Sequence, residues 1–286
     1  MEYLDLRDLK ELALPQTVAE FWEKKNQYGP HAKVIAGGTE IVNQPPEGVE
    51  CLIDIRKLVP DSIVDEDDCI TIGAATTMET LTQSAVAASL AGGMLKEAAC
   101  QGWPVAVRCA ATIGGNLAGG DPFADTPPAL LALGATLILE TPEGPKRVSA
   151  DQFFLDYRKT AAEDAILVAI SIPKAPLEGS GVFMKVAPAA VDKAMVNLGV
   201  YSEIVDGRCR NVRVAVGAVT RIPHRVSQVE QLMEQEVLNS ELLDDACETI
   251  SRSVEPMLDM RAPVEHRRSL LSAMFKRAVH SLAQAG

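Results

Sequence analysis

Aromatic residues and basic charge are both scarce in this sequence. Only 4% of its 286 residues are Phe, Trp or Tyr, and the formal net charge is −12 with His neutral. A protein that binds nucleic acid usually offers a basic surface and aromatic rings on which bases stack. The composition therefore predicts that nucleic acid is not a partner.

Long hydrophobic runs are also missing. The longest apolar stretch near the middle of the chain, 129–139, is interrupted by Gly134 and is too short to span a bilayer. The first residues, MEYLDLRDLKELALP, are acidic and lack the basic and apolar regions of a signal peptide. We therefore predict a cytoplasmic protein with no membrane span.

Clustered metal ligands and nucleophile motifs are absent as well. The six Cys are scattered without any C-x-x-C, and the four His form no H-E-x-x-H. No G-x-S-x-G elbow is present. We predict no metal site, no catalytic side chain and six buried thiols in a reducing compartment. Chemistry would then depend on a bound cofactor.

Strand and helix patterns nevertheless cover most of the chain. Thr17 is a predicted N-cap, 78–101 has a helical pattern, and 111–128 is predicted to be a long loop without regular structure. The segment KAPLEGSG (174–181) separates this part from three further strand candidates with an Asp206-Gly207 hairpin turn. From about residue 226 the pattern is helical, and it ends in an apolar stripe along the last helix. Strands with helices, then strands, then helices predict an α+β fold in two parts.

Two glycine-rich segments are the main candidates for a binding site. In each, a Gly-Gly pair follows apolar residues and precedes a small polar residue: VIAGGTEI (34–41) and TIGGN (112–116). Glycines leave room for another molecule against the backbone, and successive amides in such turns can bind an anion. Two such loops could hold both phosphates of a dinucleotide. The alternative, that each pair forms only a tight turn, stays open, since neither a Rossmann nor a P-loop motif is present.

Five other residues have simpler interpretations. Asp125 precedes Thr-Pro-Pro and an apolar helix, so spacing alone favours an N-cap over a nucleotide contact. Lys185 lies on a predicted strand, where a lysine is usually solvated. Arg261, Arg267 and Arg268 are typical of a solvated helix face.

The two glycine segments also resemble a known family. AGGTEI (36–41) and ATIGGNLAGGDPFADTPPALLALGA (111–135) are similar to the FAD-binding subunit of the molybdenum hydroxylases, which include xanthine, carbon monoxide and nicotinate dehydrogenases. In the second half, 183–200, 214–226 and 259–271 resemble the family's lysine-bearing strand, its Pro-containing turn and its Arg-rich helix start. The resemblance extends over nearly the whole chain.

This resemblance implies the site residues. Val34 to Ile41 and Thr112 to Asn116 would hold the diphosphate, Leu117 and Ala118 would lie near the isoalloxazine ring, and Asp125 would contact the nucleotide. Leu167 would make an apolar contact and Lys185 a polar one. Relatives place an aromatic residue shortly before the second loop, where this chain has Gly102 followed by Trp103. The implied cofactor-binding set is Val34, Ile35, Ala36, Gly37, Gly38, Thr39, Glu40, Ile41, Thr112, Ile113, Gly114, Gly115, Asn116, Leu117, Ala118, Asp125, Leu167 and Lys185.

The resemblance further implies a fold and a function. The fold would be an FAD-binding domain of the vanillyl-alcohol-oxidase type at 1–176, with subdomains at about 1–57 and 58–176. A C-terminal domain with a three-stranded sheet and a helix bundle would occupy 177–286. FAD would receive electrons from a 2Fe-2S small subunit, next to a molybdopterin large subunit, in a dimer of heterotrimers. The electrons would pass to NAD, a quinone or another acceptor. The alternatives are a self-sufficient flavin oxidoreductase similar to UDP-N-acetylmuramate reductase, and a non-catalytic nucleotide-binding subunit.

Overall fold

The computed structural model describes residues 8–44, 47–175, 177–257 and 259–285. Predictions that fall on 1–7, and the predicted domain ends at 176 and 286, lie outside these ranges. Within them, no helix combines the length and the apolar character needed to cross a membrane.

A small parallel sheet begins the chain and carries the first glycine loop. Its strands are β1 (Glu11–Ala13), β2 (Ala32–Ile35) and β3 (Cys51–Asp54), in the order β1-β3-β2. Helix α1 (Val18–Tyr28) connects β1 to β2, and it begins as predicted, with the Glu20 amide donating to Thr17 Oγ1 at 3.2 Å. Helix α2 (Thr39–Asn43) follows β2. The first glycine loop therefore follows β2, which pairs with the central strand β3.

A five-stranded antiparallel sheet follows and supports the second glycine loop. The strands here are β4 (Ile63–Asp65), β5 (Cys69–Gly73), β6 (Thr136–Thr141), β7 (Gly144–Ser149), β8 (Phe154–Asp156), β9 (Lys159–Thr160) and β10 (Ile166–Pro173). The order in the sheet is β4-β5-β10-β6-β7, and a separate pair, β8 and β9, forms a hairpin. The helices are α3 (Met78–Gln83), α4 (Ala85–Ser89), α5 (Met94–Gln101), α6 (Val105–Arg108), α7 (Ile113–Ala118), α8 (Thr126–Ala132) and α9 (Ala150–Phe153).

One prediction in this region is wrong. The segment 111–128 is not free of regular structure, because α7 covers the second glycine loop and α8 begins at Thr126. Glycine disfavours helix, but the Thr112 hydroxyl caps α7 and α7 packs against β10 and α8. Local tertiary contacts therefore override the low helix propensity of Gly114 and Gly115.

The C-terminal part is a sheet covered by helices. Strands β11 (Ser180–Val186), β12 (Val196–Val205) and β13 (Arg208–Gly217) form the predicted antiparallel sheet, and a two-residue strand β14 (His224–Arg225) extends it. Asp206 and Gly207 both have positive φ, as a tight hairpin turn requires. Helices α10 (Ser227–Met233), α11 (Ser240–Arg252) and α12 (Val264–Ala285) follow. The predicted stripe on α12 is confirmed: Leu271, Met274, Phe275, Val279 and Leu282 are buried, and its first residue, Leu270, is half-buried against the same core.

The C-terminal sheet has two buried faces, and this joins the two parts of the molecule. One face, with Leu198 and Val216, packs in a core with α10, α11 and α12. The other face, with Phe183 and Tyr201, belongs to the core of the first part. The sheet is therefore a shared layer, and side chains on β11 and β12 reach the region behind the glycine loops.

Polar side chains correct two further predictions. Arg267 does not lie on a solvated face: its side chain is fully buried, pairs with Asp259 at 2.5 Å and donates to the carbonyls of Met195 and Ala218. The prediction of buried thiols is right for Cys51, Cys209 and Cys247 and wrong for Cys100 and Cys109, which are exposed, while Cys69 is half-buried. Across the described ranges, no three or more His, Cys, Asp or Glu side chains are grouped as metal ligands.

Candidate functional site: two glycine loops and a buried ion pair

The first glycine loop turns sharply from β2 into α2. Gly38 has φ +72° and serves as the N-cap of α2, and no side chain caps this helix. Glycine adopts that left-handed conformation without strain. The first amides of a helix have no partner within the helix, so the start of α2 can donate hydrogen bonds to a group outside it.

The second glycine loop satisfies its amides within the protein. Ile113 donates to Thr76 O and Gly114 to Ala74 O, each at 2.9 Å. Gly115 donates to Thr112 Oγ1 at 3.1 Å, and Asn116 donates to Thr112 O at 3.0 Å. The prediction that both loops offer free amides to an anion is therefore wrong for this loop.

The two glycines of each pair have different surroundings. A Cβ on Gly37 would overlap the carbonyl oxygen of Ala110, and one on Gly114 would lie 2.6 Å from Ala74 Cβ. At Gly38 the nearest atom would be Ile35 Cδ1 at 3.4 Å, and Gly115 is exposed with only Thr112 Oγ1 nearby, at 3.0 Å. Gly37 and Gly114 thus permit close packing, Gly38 permits the left-handed turn, and Gly115 leaves an exposed surface.

Close packing at Gly37 also makes the two loops neighbours. Ala110 lies two residues before Thr112, so the first loop rests on the segment that leads into the second. Asn116 is half-buried and its Oδ1 accepts from Thr126 Oγ1 at 2.5 Å, while Ala118 is exposed and Leu117 is buried in the core. Of the residues predicted near the flavin ring, only Ala118 is therefore open to solvent.

Asp125 lies behind the second loop and is not a helix cap. It precedes α8 but accepts no capping hydrogen bond. Lys185 Nζ donates to its Oδ2 at 2.7 Å, and Asn197 Nδ2 donates to its Oδ1 at 3.0 Å. The side chains of Asp125 and Lys185 are only 4% and 3% exposed, so the solvated interpretation of Lys185 is also wrong. Burial raises the pKa of the Asp125 carboxyl, and Lys185 offsets this only partly.

Leu167 is buried in β10, beside a register shift between Leu167 and Ala169. The carbonyl of Val168 in this irregularity accepts from the Ala74 amide, and Ala74 O accepts in turn from Gly114. The bulge therefore supports the second loop through Ala74.

Gly102 and Trp103 differ from the aromatic pattern that the resemblance implies. A Cβ at Gly102 would lie 3.2 Å from Asp125 Oδ2, so a larger side chain there would meet the buried carboxylate. Trp103 is half-buried against the core, and its carbonyl accepts from Arg108 at 3.2 Å. In this chain the buried Asp125 carboxylate therefore lies where the side chain of an aromatic residue at position 102 would begin.

Sequence reasoning missed one residue next to the loops. Arg158, in the turn between β8 and β9, donates to Glu40 Oε1 at 3.1 Å and lies 3.5 Å from Asp121 Oδ2. Lys193 also pairs with Asp121. Burial lowers the pKa of the Arg158 guanidinium, but the nearby carboxylates of Asp121 and Glu40 raise it more. Its separation from Glu40 by more than a hundred residues explains why no local pattern indicated it.

Comparison with known proteins gives one consistent family. Residues 8–175 match the model described as the FAD binding domain in molybdopterin dehydrogenase, and residues 182–282 match the CO dehydrogenase flavoprotein C-terminal domain. The chain is 29% identical over 266 residues to the xanthine dehydrogenase FAD-binding subunit of Escherichia coli O157:H7, covering 90% of this chain and 91% of the relative. It is 29% identical over 273 residues to the carbon monoxide dehydrogenase medium chain of Afipia carboxidovorans, covering 93% of each.

A solved structure agrees with these matches. Carbon monoxide dehydrogenase from Hydrogenophaga pseudoflava, in a form that lacks the Mo-pyranopterin moiety, contains a chain that superposes with a TM-score of 0.91 at 28% identity. The superposition covers 96% of this chain and 98% of that one. The predicted resemblance, the α+β fold class and FAD as the cofactor are thus confirmed. The chain belongs to the family of FAD-binding subunits of the molybdenum hydroxylases and is an oxidoreductase subunit.

Proposed function

We propose that this chain receives electrons from an iron–sulfur subunit and passes them through FAD to a separate acceptor. Bound FAD supplies the ability to exchange single electrons with one partner and a pair with another, and the protein binds and orients it. The observation that carries the proposal is the adjacency of the two loops, in which Gly37 and Gly114 are closely packed and Gly115 is exposed. NAD, a quinone or another acceptor would take the electrons.

The residues at the loops fit a dinucleotide. Gly38 and the uncapped first turn of α2 offer backbone donors, and exposed Gly115 permits close approach. In this proposal the backbone of 34–41 offers amide donors to the diphosphate, the exposed surface at Gly115 within 112–116 lies against it, and Ala118 is on the open side toward the ring. Asp125, Leu167, Leu117 and Lys185 are buried, so we propose that they shape the wall of the site.

The Asp125–Lys185 pair has a second consequence for the site. Each group neutralises the other, and Asn197 satisfies the remaining carboxylate oxygen. A paired carboxylate and ammonium are poorly suited to act as an acid and a base on a substrate. This supports an electron-transfer role over a self-sufficient oxidoreductase with its own substrate chemistry.

We propose a 2Fe-2S small subunit and a molybdopterin large subunit as partners, in a dimer of heterotrimers. The support comes from the similarity to a protein named as the medium chain of carbon monoxide dehydrogenase. We further propose a division into domains at 1–176 and 177–286, with subdomains meeting near residue 57. The core between the C-terminal sheet and α10, α11 and α12 supports the division, since all its residues follow the proposed boundary.

A visible spectrum of the chain purified from its native source tests the proposal. Acid treatment would release the chromophore, and mass spectrometry would identify it together with any co-purifying chains. We expect FAD, with additional broad absorbance from iron–sulfur clusters on a partner. FAD on a chain without partners would favour the self-sufficient oxidoreductase. A chain that stays colourless after incubation with FAD would overturn the proposed function.

A further inference from the structure

The glycine loops lack positive charge for a diphosphate. Residues 34–41 and 112–118 contain no Lys or Arg, and their one charged side chain is Glu40. The chain as a whole is acidic, with a net charge of −12. The amides of the second loop are already bonded within the protein. A dianionic group between the loops therefore needs a cation from another part of the chain.

Arg158 lies where such a cation is needed. Its Nη1 donates to Glu40, which follows Gly38 by two residues, and its Nη2 lies near Asp121, which follows the end of α7. The guanidinium thus bridges the segments on either side of the two loops. Its side chain is 31% exposed, so part of it is accessible from outside. A guanidinium has five N–H donors, so bonds to two carboxylates leave others available.

The backbone around Arg158 is fixed against the second loop. Arg158 has φ +55°, a left-handed conformation that costs a non-glycine residue free energy. A Cβ at Gly120 would lie 3.1 Å from Arg158 Cα, and Thr160 Oγ1 donates to Ala118 O at 3.4 Å. The hairpin of β8 and β9 is therefore packed onto the end of α7, and this contact fixes the backbone of Arg158 beside the second loop.

We propose that Arg158 binds the diphosphate of FAD, and that Glu40 competes with the diphosphate for the same guanidinium. Lys193 keeps Asp121 neutralised when Arg158 engages a phosphate oxygen. This inference rests on the proposed placement of the diphosphate at the two loops. It predicts opposite effects for the two members of the Arg158–Glu40 pair: loss of the cation weakens FAD binding, and loss of the competing carboxylate strengthens it.

Arg221, between β13 and β14, supplies a matched control because it contacts the same hairpin. Its Nε and Nη2 both donate to Asp156 Oδ1, at 3.0 and 2.9 Å, and it lies over the Tyr157 ring. Arg221→Gln removes the same charge from the protein without changing a contact to either loop. A difference in the Kd for FAD between R158Q and R221Q therefore reflects the position of the arginine and not the net charge of the protein.

The test uses the full chain with any subunits that purify with it, freed of FAD and titrated with FAD while flavin fluorescence is followed. We expect R158Q to raise the Kd for FAD about tenfold or more, the loss expected for a charge-assisted contact, with R221Q close to wild type. We expect E40Q to lower the Kd. Urea unfolding of the flavin-free proteins should show similar stabilities for R158Q and R221Q.

Three results would overturn the inference. They are an R158Q protein that binds FAD as R221Q does, an E40Q protein that binds FAD more weakly than wild type, and a loss of unfolding free energy in R158Q that accounts for its weaker binding. Each of these leaves the proposed function intact if wild type takes up FAD. A wild-type chain that takes up no FAD would instead overturn the proposed function.

Discussion

The two glycine loops have the same sequence pattern but different backbone structures. In the first, Gly38 turns the chain with a positive φ into α2, and no side chain caps the helix. In the second, Thr112 caps α7 and four successive amides bond within the protein. The first loop can therefore contribute amide donors to a ligand, and the second can contribute a bare surface at Gly115. A Gly-Gly pair thus permits two different kinds of contact with one molecule.

The largest effect should come from filling the packed glycine of each pair. Gly37→Ala places a methyl group on the Ala110 carbonyl, and Gly114→Ala places one 2.6 Å from Ala74 Cβ and 2.7 Å from its carbonyl oxygen. Because these neighbours are mostly backbone, they cannot move aside easily. We expect a loss of about 2–3 kcal/mol of unfolding free energy for each variant, measured by urea unfolding without FAD. Stabilities equal to wild type would show that the loops are not held together in this way.

A smaller effect on stability, with a large effect on binding, should follow at the open glycine of the second loop. Gly115→Ala favours helix by up to about 1 kcal/mol, and its methyl group meets only Thr112 Oγ1, at 3.0 Å. We expect the unfolding free energy to change by less than about 1 kcal/mol. The Kd for FAD should rise about tenfold, because the methyl group occupies the proposed contact surface.

Gly114→Ala is the neighbouring control for this variant, since its main effect should be a loss of unfolding free energy. Binding by Gly115→Ala at the wild-type Kd would remove the second loop from the FAD site. The comparison between the two loops would then reduce to a difference in packing.

The smallest effect concerns the ion pair between Glu79 and Arg108, which is close in sequence to Ala110 under the first loop, and it depends on pH. Arg108 Nε donates to Glu79 Oε2 at 2.9 Å, and its Nη1 donates to the carbonyls of Cys100 and Trp103. The hydrogen bond from Arg108 lowers the pKa of the Glu79 carboxyl in the folded protein. The stabilisation is therefore present at neutral pH and is lost as the pH falls through the folded pKa, below the usual range of a glutamate.

Glu79→Gln should accordingly be less stable than wild type at pH 7, and the difference should shrink toward acidic pH. Thermal unfolding at a series of pH values measures it, and Glu97→Gln is a suitable control because Glu97 is exposed and accepts a hydrogen bond from Gln101 on its own helix. A difference that stays constant with pH would mean that the Glu79 charge does not stabilise the fold.

Local sequence rules predicted the elements whose partners are close in the chain. The Thr17 cap depends on Glu20, three residues away, and the Asp206-Gly207 turn depends on two residues with positive φ. The stripe along α12 follows from helical periodicity. These features need no information about the rest of the molecule, so the sequence alone is enough to predict them.

Long-range burial explains the predictions that were wrong. Thr-Pro-Pro after Asp125 favours a helix cap, but the partner of its carboxylate, Lys185, is sixty residues away. Arg267 lies on the buried side of its helix because Met195 and Ala218 offer carbonyls there. Neither the composition nor the residue spacing around Asp125 and Arg267 indicates these distant partners. The glycine loops were located from the sequence, but the internal bonding of the second loop depends on Ala74 and Thr76.

The buried Asp125–Lys185 pair makes the two parts of the chain depend on each other for folding. Asp125 precedes the break at 174–181 and Lys185 follows it, so a gene split at this break would give two fragments with one unpaired charge each. An isolated buried charge is strongly destabilising, by about 3–5 kcal/mol when its partner is removed. The two fragments should therefore accumulate only when they are produced together. For the same reason, a chimaera that takes one part from a relative would have to preserve a carboxylate and an ammonium group at these two positions.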